Sequence, residues 1–543
     1  MSPDICVVGG GPAGIAVAMM ASRTGKSVLL AESGSRQHRP EDLNRGKVQQ
    51  AVGVADRTDP KLIDGPSLYD SDYMHSGRTR VPGGSSRKWG VRSRLNNPFC
   101  LRLACPDDID FQQIDDYDVP AWPIPHKDIQ TYLHKSVEFF GLSQVDFRSQ
   151  TTGAYPLDQN TFVPGMLYFA PGSVVYEQRY QQIDSTDNIN IQTGWTLKQL
   201  VTNAAQDQVD FLEFVDESGE IHKVNAKQVV IATGGVENSR ILLNAVDEGQ
   251  LKDPYDNLGR WFMDHPHLSF GILKPHADVE SLGVFHDFQD HQANTTLGHY
   301  SLSERAAREE KLLRFSISLV GVPKITTSPV VAAGSRLMNM KRQRYSVRET
   351  SQMVTELVKH PIEALQFAQY KFGKGPRHHT ALGGWSRKDT RLTDIDGLKV
   401  EVMMAQRPSP DNRVRLLPER DRLGNRKACL QWSWSQPEVD SYWRSVQLTK
   451  RHFEAIDAGE YIDPVKLGCG KVPRGGTGWH QMGGTRMSSS PEHGSVDANS
   501  RYHGVENLYV AGSSIFPSSV GYANPTLTLV ALSLRLGEYL AAL

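Results

Sequence analysis

Near the carboxy-terminal end of the 543-residue chain, Gly478-Trp479-His480-Gln481-Met482-Gly483-Gly484-Thr485-Arg486 sets one histidine beside a glycine pair. A second turn, Gly521-Tyr522-Ala523-Asn524-Pro525-Thr526, precedes an apolar helical run from Leu527 to Leu540. Polar residues in glycine-rich turns at the ends of elements are a common seat of catalytic groups. An imidazole titrates near neutral pH and suits a general base, and an amide can hold a reacting oxygen in line. His480 and Asn524 are therefore the candidate catalytic residues, although most of the 18 histidines must be structural. A helix starting at this second turn would aim N–H groups at an anion.

Such groups need a partner that performs the redox or transfer step, and the amino terminus supplies a candidate. Residues 4–32 read DICVVGGGPAGIAVAMMASRTGKSVLLAE. Ile5–Val8 is a buried-type strand, Gly9, Gly11 and Gly14 complete G-x-G-x-x-G, and Gly14–Arg23 has helical apolar density. Ser27–Ala31 is a second strand that ends on Glu32. This is the whole dinucleotide unit rather than a lone glycine triplet. Gly9 permits the turn, Gly11 lets backbone approach a pyrophosphate, Gly14 lets the helix pack on the strand, and Glu32 can accept from ribose hydroxyls.

No second strand–GxGxxG–helix unit follows, since Gly468–Gly476 lacks a preceding strand. A flavoprotein that reduces its flavin with a nicotinamide commonly needs two such folds, so the single unit is read as an FAD site. The Pro12-Ala13 pair inside the turn resembles flavoprotein versions of the motif. With FAD, the catalytic candidates fit oxidation of an alcohol: a base takes the hydroxyl proton and the carbon gives a hydride to the flavin.

The elements between these ends must bring them together. VPGGSSRKWGVRSR (81–94) places Gly83, Gly84, Ser85 and Ser86 before Trp89, a stretch whose backbone N–H groups can close round a ligand. Val224–Ala232 reads as a strand running into Thr233-Gly234-Gly235 and a helix, the returning strand of a doubly wound sheet. Asn507–Ala511 is a further strand, ending in Gly512-Ser513-Ser514. The expected organisation is an α/β Rossmann-type FAD-binding domain from 1–95, 190–270 and 475–543. A substrate domain from 96–189 and 271–474 is interleaved with it, carrying a basic helical insertion at about 335–379.

Composition narrows the class. Sixty Lys and Arg against 61 Asp and Glu leave a formal charge of −1, which gives no electrostatic reason to expect nucleic acid or an anionic membrane. Five scattered cysteines without a CxxC pair argue against a disulfide scaffold and a structural zinc. No run of about 18 apolar residues exists and no signal sequence opens the chain, so a cytoplasmic protein is expected. His265 and His267, in AspHisProHis, could suggest a metal, but without a third ligand nearby in sequence they read as structural.

Seven ordered motifs together resemble the glucose–methanol–choline (GMC) oxidoreductases across nearly the whole chain. They are GGGPAG with Glu32, VPGGSSRKWG, ATGGVENSR, NLGRWFMDHP (257–266), RPSPDNRVRL (407–416), WHQMGGTRM and NLYVAGSSIFPSSVGYANPTLT. The resemblance implies a substrate domain built on a large antiparallel sheet, with His480 as catalytic histidine and Asn524 as its partner. It implies flavin contacts from Gly83–Ser86 and from Asn524, Pro525 and Thr526, an approach of the Leu197 backbone to adenine, and no metal. Cofactor contacts are also expected at Gly9, Gly11, Pro12, Ala13, Gly14, Glu32, Trp89, Thr233, Gly234, Gly512 and Ser513. Some family members attach FAD through a histidine where this chain has Lys88, so noncovalent FAD is expected. The substrate class is a sugar, glycoside or polyol, with a non-sugar alcohol as the alternative and a redox-silent lyase or a noncatalytic flavoprotein as different classes. Oxygen or another redox carrier would be the electron acceptor. Oligomeric state is open.

Overall fold

The computed structural model describes residues 1–35, 77–89, 100–148, 157–276, 289–291, 294–323, 329–338, 346–372, 395–465, 472 and 476–543. The glycine fingerprint forms the unit its spacing predicts. Ile5–Val8 lies between Val28–Glu32 and Gln228–Ile231, with Ile189–Thr193 and Leu508–Val510 at the two edges, and all neighbours run parallel. The helix Pro12–Ala21 starts two residues before Gly14, with proline in its first turn, where a missing N–H costs nothing. It is buried on nearly all sides, because the carboxy-terminal helix Thr526–Ala542 packs over it. Gly537 makes that approach possible: a Cβ there would lie 2.7 Å from the carbonyl oxygen of Val17.

One predicted strand divides. The apolar run 224–232 is split between Ile221–Val224, which joins a three-stranded antiparallel sheet, and Gln228–Ile231 in the parallel sheet. The backbone N–H groups of Asn225 and Lys227 turn to the carbonyls of Met1 and Pro3, so the chain changes sheets there.

Among the described residues the second large sheet has nine strands, all antiparallel. Its main path runs Gly459–Ile462, Pro266–Pro275, Ile395–Met404, Phe315–Pro323, Asn294–Leu302, Phe162–Pro171 and Cys100–Leu103. The helix Gln436–Ala455 packs near it, with Tyr442, Val446 and Phe453 buried, and opens with a capping box between Ser435 and Glu438. The basic insertion contains the helices Pro329–Met338, Val347–Lys359 and Pro361–Phe372. Of its apolar positions Met353 is buried, whereas Val358, Ile362 and Leu365 are exposed. Its stretches 339–345 and 373–379 lie outside the described residues, as do Gly90–Arg94 of the GGSS segment and Gly468–Gly470. Among the described residues no helix is long and apolar enough to cross a membrane.

Candidate active site

A cleft of about 1360 Å³, counting its open mouth, runs along the carboxyl ends of the parallel strands. Gly9, Gly11, Pro12, Ala13 and Glu32 line it from the fingerprint, and Gly84, Ser85 and Trp89 from the GGSS loop. Leu197, Thr233, Gly234, Gly512, Ser513 and Pro525 complete the sequence-predicted residues on its wall. Gly14, Gly83, Ser86, Asn524 and Thr526 do not reach it. Gly14 stands behind the turn, where a Cβ would be 1.9 Å from the Gly9 carbonyl oxygen. Gly83 adopts φ 87° and donates its N–H to Gly10, pinning the GGSS loop on the fingerprint, and the Ser86 hydroxyl closes that loop on the Gly83 carbonyl.

The wall fits a dinucleotide. The helix at Pro12 has no acidic residue in its first turn and no side-chain cap, so its amino end is available to phosphate. Glu32 is buried and accepts from the N–H groups of Gly10 (2.7 Å) and Gly34 (2.6 Å). Burial pushes its carboxyl above the usual range against those two bonds. Arg78 and Arg80 lean on buried Glu237, which Arg240 also grips at 2.7 Å. Against the cost of burial these cations hold Glu237 down at about 2. Sequence reading missed this cluster because its arginines lie about 160 residues apart.

Beyond Trp479 and Gln481, which line the cleft, His480 sits half-buried in a set of imidazoles. Buried Asp264 accepts from the backbone N–H groups of both His265 (2.6 Å) and His480 (2.8 Å), while Met263 and Met482 exchange backbone bonds at 2.9 Å. Two segments over 200 residues apart are thus locked side by side. His265 Nε2 lies 2.8 Å from the Ser519 carbonyl, and its Nδ1 lies 2.9 Å from His480 Nδ1. A carbonyl only accepts, so the network assigns the proton of His265 to Nε2 and leaves its Nδ1 an acceptor. His480 must then donate from Nδ1, which leaves its Nε2 with a lone pair: the form a general base requires.

Burial pushes His480 and His267 well below the ordinary histidine range and His265 down to about 4, and the neighbouring Arg102 adds to each shift. The backbone is strained at both turns. Trp479 (φ 51°) precedes the base, and Val520 (φ 50°) follows the carbonyl that orients His265. Positive φ at bulky residues is rare and concentrates at functional sites.

Asn524 makes no hydrogen bond to His480. Its Nδ2 donates to the Arg102 carbonyl (2.7 Å) and to Thr526 Oγ1 (2.9 Å), which spends both amide hydrogens. Its Oδ1 is buried without a partner among the described residues. The Arg102 guanidinium contacts Met403 Sδ at 2.9 Å, and burial lowers it to about 10 against the pull of Glu401. His265 and His267, read as structural from the sequence, both pack against the candidate base, with rings 5.1 and 5.6 Å from that of His480. The available signal was their two-residue spacing on an extended segment, which puts both on one face. Among the described residues, the group with metal-ligand spacing is Asp216, Glu220 and His222, away from this centre.

Comparison with known proteins agrees with this architecture. Residues 408–533 match the GMC oxidoreductase family model, and this part of the chain belongs to that family. The fructose dehydrogenase large subunit of Gluconobacter japonicus is 26% identical over 352 residues, covering 62% of this chain and 51% of that protein. Cholesterol oxidase of Acinetobacter baumannii is 43% identical over 63 residues, which are 12% of this chain and 11% of that one. The chain thus spans about half the length of the first relative and about a tenth of the second. The solved structure of pyridoxine 4-oxidase from Mesorbium loti superposes with a TM-score of 0.54 at 15% identity over 99% of both chains, and shares the fold.

Proposed function

We propose that this protein oxidises an alcohol group of a sugar, glycoside or polyol to a ketone or aldehyde, using noncovalently bound FAD. Bound FAD supplies the hydride acceptor. The Gly9–Gly14 turn, the amino end of the helix Pro12–Ala21, Glu32 and the GGSS loop would hold it, with Leu197 near the adenine end and Asn524, Pro525 and Thr526 near the flavin end. His480 Nε2 takes the hydroxyl proton as the carbon–hydrogen bond breaks. Asn524 aligns the substrate through Oδ1, an acceptor for a neighbouring hydroxyl.

The observation that carries this reading is the tautomer chain from Ser519 through His265 to His480, which leaves an unprotonated Nε2 next to the residues lining the dinucleotide cleft. The sugar class is supported by the relative named fructose dehydrogenase, whose match covers 62% of this chain, against 12% for the one named cholesterol oxidase. Noncovalent attachment is supported by Lys88 at the position where a histidine would be needed. The division into a cofactor domain (1–95, 190–270, 475–543) and a substrate domain (96–189, 271–474) belongs to the same proposal and is supported by the two large sheets. Oxygen or a redox carrier in the cytoplasm would reoxidise the enzyme.

The test is anaerobic. Sugars, glycosides, polyols and simple alcohols are added in turn to the yellow protein, and the flavin absorbance is followed. Bleaching by one class, lost in His480→Ala with the flavin still bound, supports the reading. Bleaching by steroid or alkyl alcohols alone replaces the sugar class, and a flavin that no alcohol reduces favours a redox-silent activity. Flavin that stays with acid-precipitated protein overturns noncovalent attachment.

A further inference from the structure

An alcohol oxygen that loses its proton to His480 gathers negative charge, and a donor aimed at that oxygen would stabilise it. Asn524 has no N–H to spare, because both are committed to Arg102 and Thr526. His267 does. Its ring lies 5.6 Å from that of His480, and its Nε2 is buried without a partner among the described residues. Between the two rings stands Gly478. A Cβ built there would be 2.7 Å from His480 Nε2 and 2.8 Å from His267 Nε2, so the nitrogens are at most about 5.5 Å apart. One oxygen making two hydrogen bonds of about 2.8 Å each can bridge nitrogens up to that far apart.

We propose that Gly478 keeps open a niche for the reacting hydroxyl oxygen, held between His480 and His267, and that His267 Nε2–H is the donor to the developing alkoxide. This deepens, and rests on, the alcohol-oxidation reading above. The oxygen–hydrogen bond breaks toward His480 Nε2, the carbon–hydrogen pair leaves as hydride to the bound flavin, and the carbon–oxygen double bond forms. His267 keeps its own proton throughout. Burial and the nearby Arg102 hold it neutral, so it acts as a dipole and not as a second acid.

Two measurements test this on the flavin-loaded protein. In stopped-flow reduction by the alcohol found above, His267→Leu keeps its flavin but slows reduction roughly 100- to 1,000-fold, the usual loss for one donor at an oxyanion. His267→Gln, which restores an N–H near the same place, recovers part of the rate, and Gly478→Ala blocks reduction with flavin content unchanged. Wild-type reduction rates in His267→Leu would overturn the proposal. The second measurement does not depend on turnover: crystals of the wild type soaked in glycerol should place one hydroxyl oxygen within about 3.2 Å of both Nε2 atoms, and crystals of Gly478→Ala should not. An empty niche in the soaked wild type would also overturn it. If no alcohol reduces the wild type, the alcohol-oxidation reading fails by itself, and the crystals still decide whether the niche binds a hydroxyl.

Discussion

Replacing His299 by leucine should flatten the acid dependence of stability by a calculable amount. His299 sits on the strand Asn294–Leu302 opposite Gly165, with its ring 5.3 Å from Tyr522 in the loop that carries Asn524. Both ring nitrogens are buried without partners among the described residues, and burial pushes the group down to about 4. The folded state therefore keeps His299 neutral, while the unfolded chain protonates near 6.5 and binds the extra proton as pH falls. The stability tied to this depressed histidine is present above about pH 6.5 and is lost as pH falls toward 4. Between about pH 7 and 4.5 the linkage amounts to roughly 2.5 kcal/mol from this one residue, because each pH step of one across which only the unfolded chain holds the proton costs about 1.4 kcal/mol.

Leucine cannot titrate and no hydrogen bond of the ring is lost, so the variant should lie within about 1 kcal/mol of wild type near pH 7. Near pH 4.5 it should be more stable by roughly 2.5 kcal/mol relative to that starting point. Urea unfolding of both proteins at the two pH values reads the difference. Titrating groups that do not interact with His299 cancel in the comparison, including Glu438, which burial raises to about 7 and whose stability contribution has the opposite pH sign; Asp107, which His299 influences, is the exception. Parallel pH dependence in the two proteins would refute the reasoning.

Three further outcomes follow from the geometry. Gly14→Ala drives a methyl into the Gly9 carbonyl, and the purified protein should lack the visible flavin bands or fail to fold; a normal ratio of flavin to protein absorbance would contradict this. Arg314→Met strands the buried carboxylate of Asp110, which the guanidinium now holds at 2.9 Å, and removes one of two arginines from half-buried Asp107. The loss should be about 3–5 kcal/mol in urea unfolding, since an uncompensated buried charge is expensive. For wild type, the anaerobic rate of flavin reduction should be flat from about pH 6 to 8, because His480 is held well below its ordinary range and stays unprotonated there. A rate rising tenfold across that window would place the base elsewhere.

The parts of this molecule that were legible in sequence are those whose causes are local. The fingerprint turn is set by glycines within six residues, and even there the helix starts earlier than apolar density suggested, because proline favours a first turn. The run 224–232 looked like one strand because apolar character is all a local reading can see. Its break is set by hydrogen bonds to Met1 and Pro3, more than 220 residues away. His480 and Asn524 were legible as polar residues in glycine turns. The tautomer of His480 was not, since it depends on His265 and on the Ser519 carbonyl, brought together only by the tertiary fold. The packing of His265 and His267 against His480 was hidden for the same reason: sequence shows spacing along one segment and hides what faces it.

The edge position of Leu508–Val510 has a consequence for how the protein is made. Its neighbour Gln228–Ile231 leaves the ribosome some 280 residues earlier, and the helix Pro12–Ala21 waits still longer for Thr526–Ala542 to cover it. Through most of synthesis, then, a nascent chain carries an open strand edge and an uncovered apolar helix, both hazards for association with other chains. Closure is a late, long-range event of the kind that folds slowly. A nascent chain released before Leu508 should therefore depend on chaperones and bind no flavin, however complete its glycine turn.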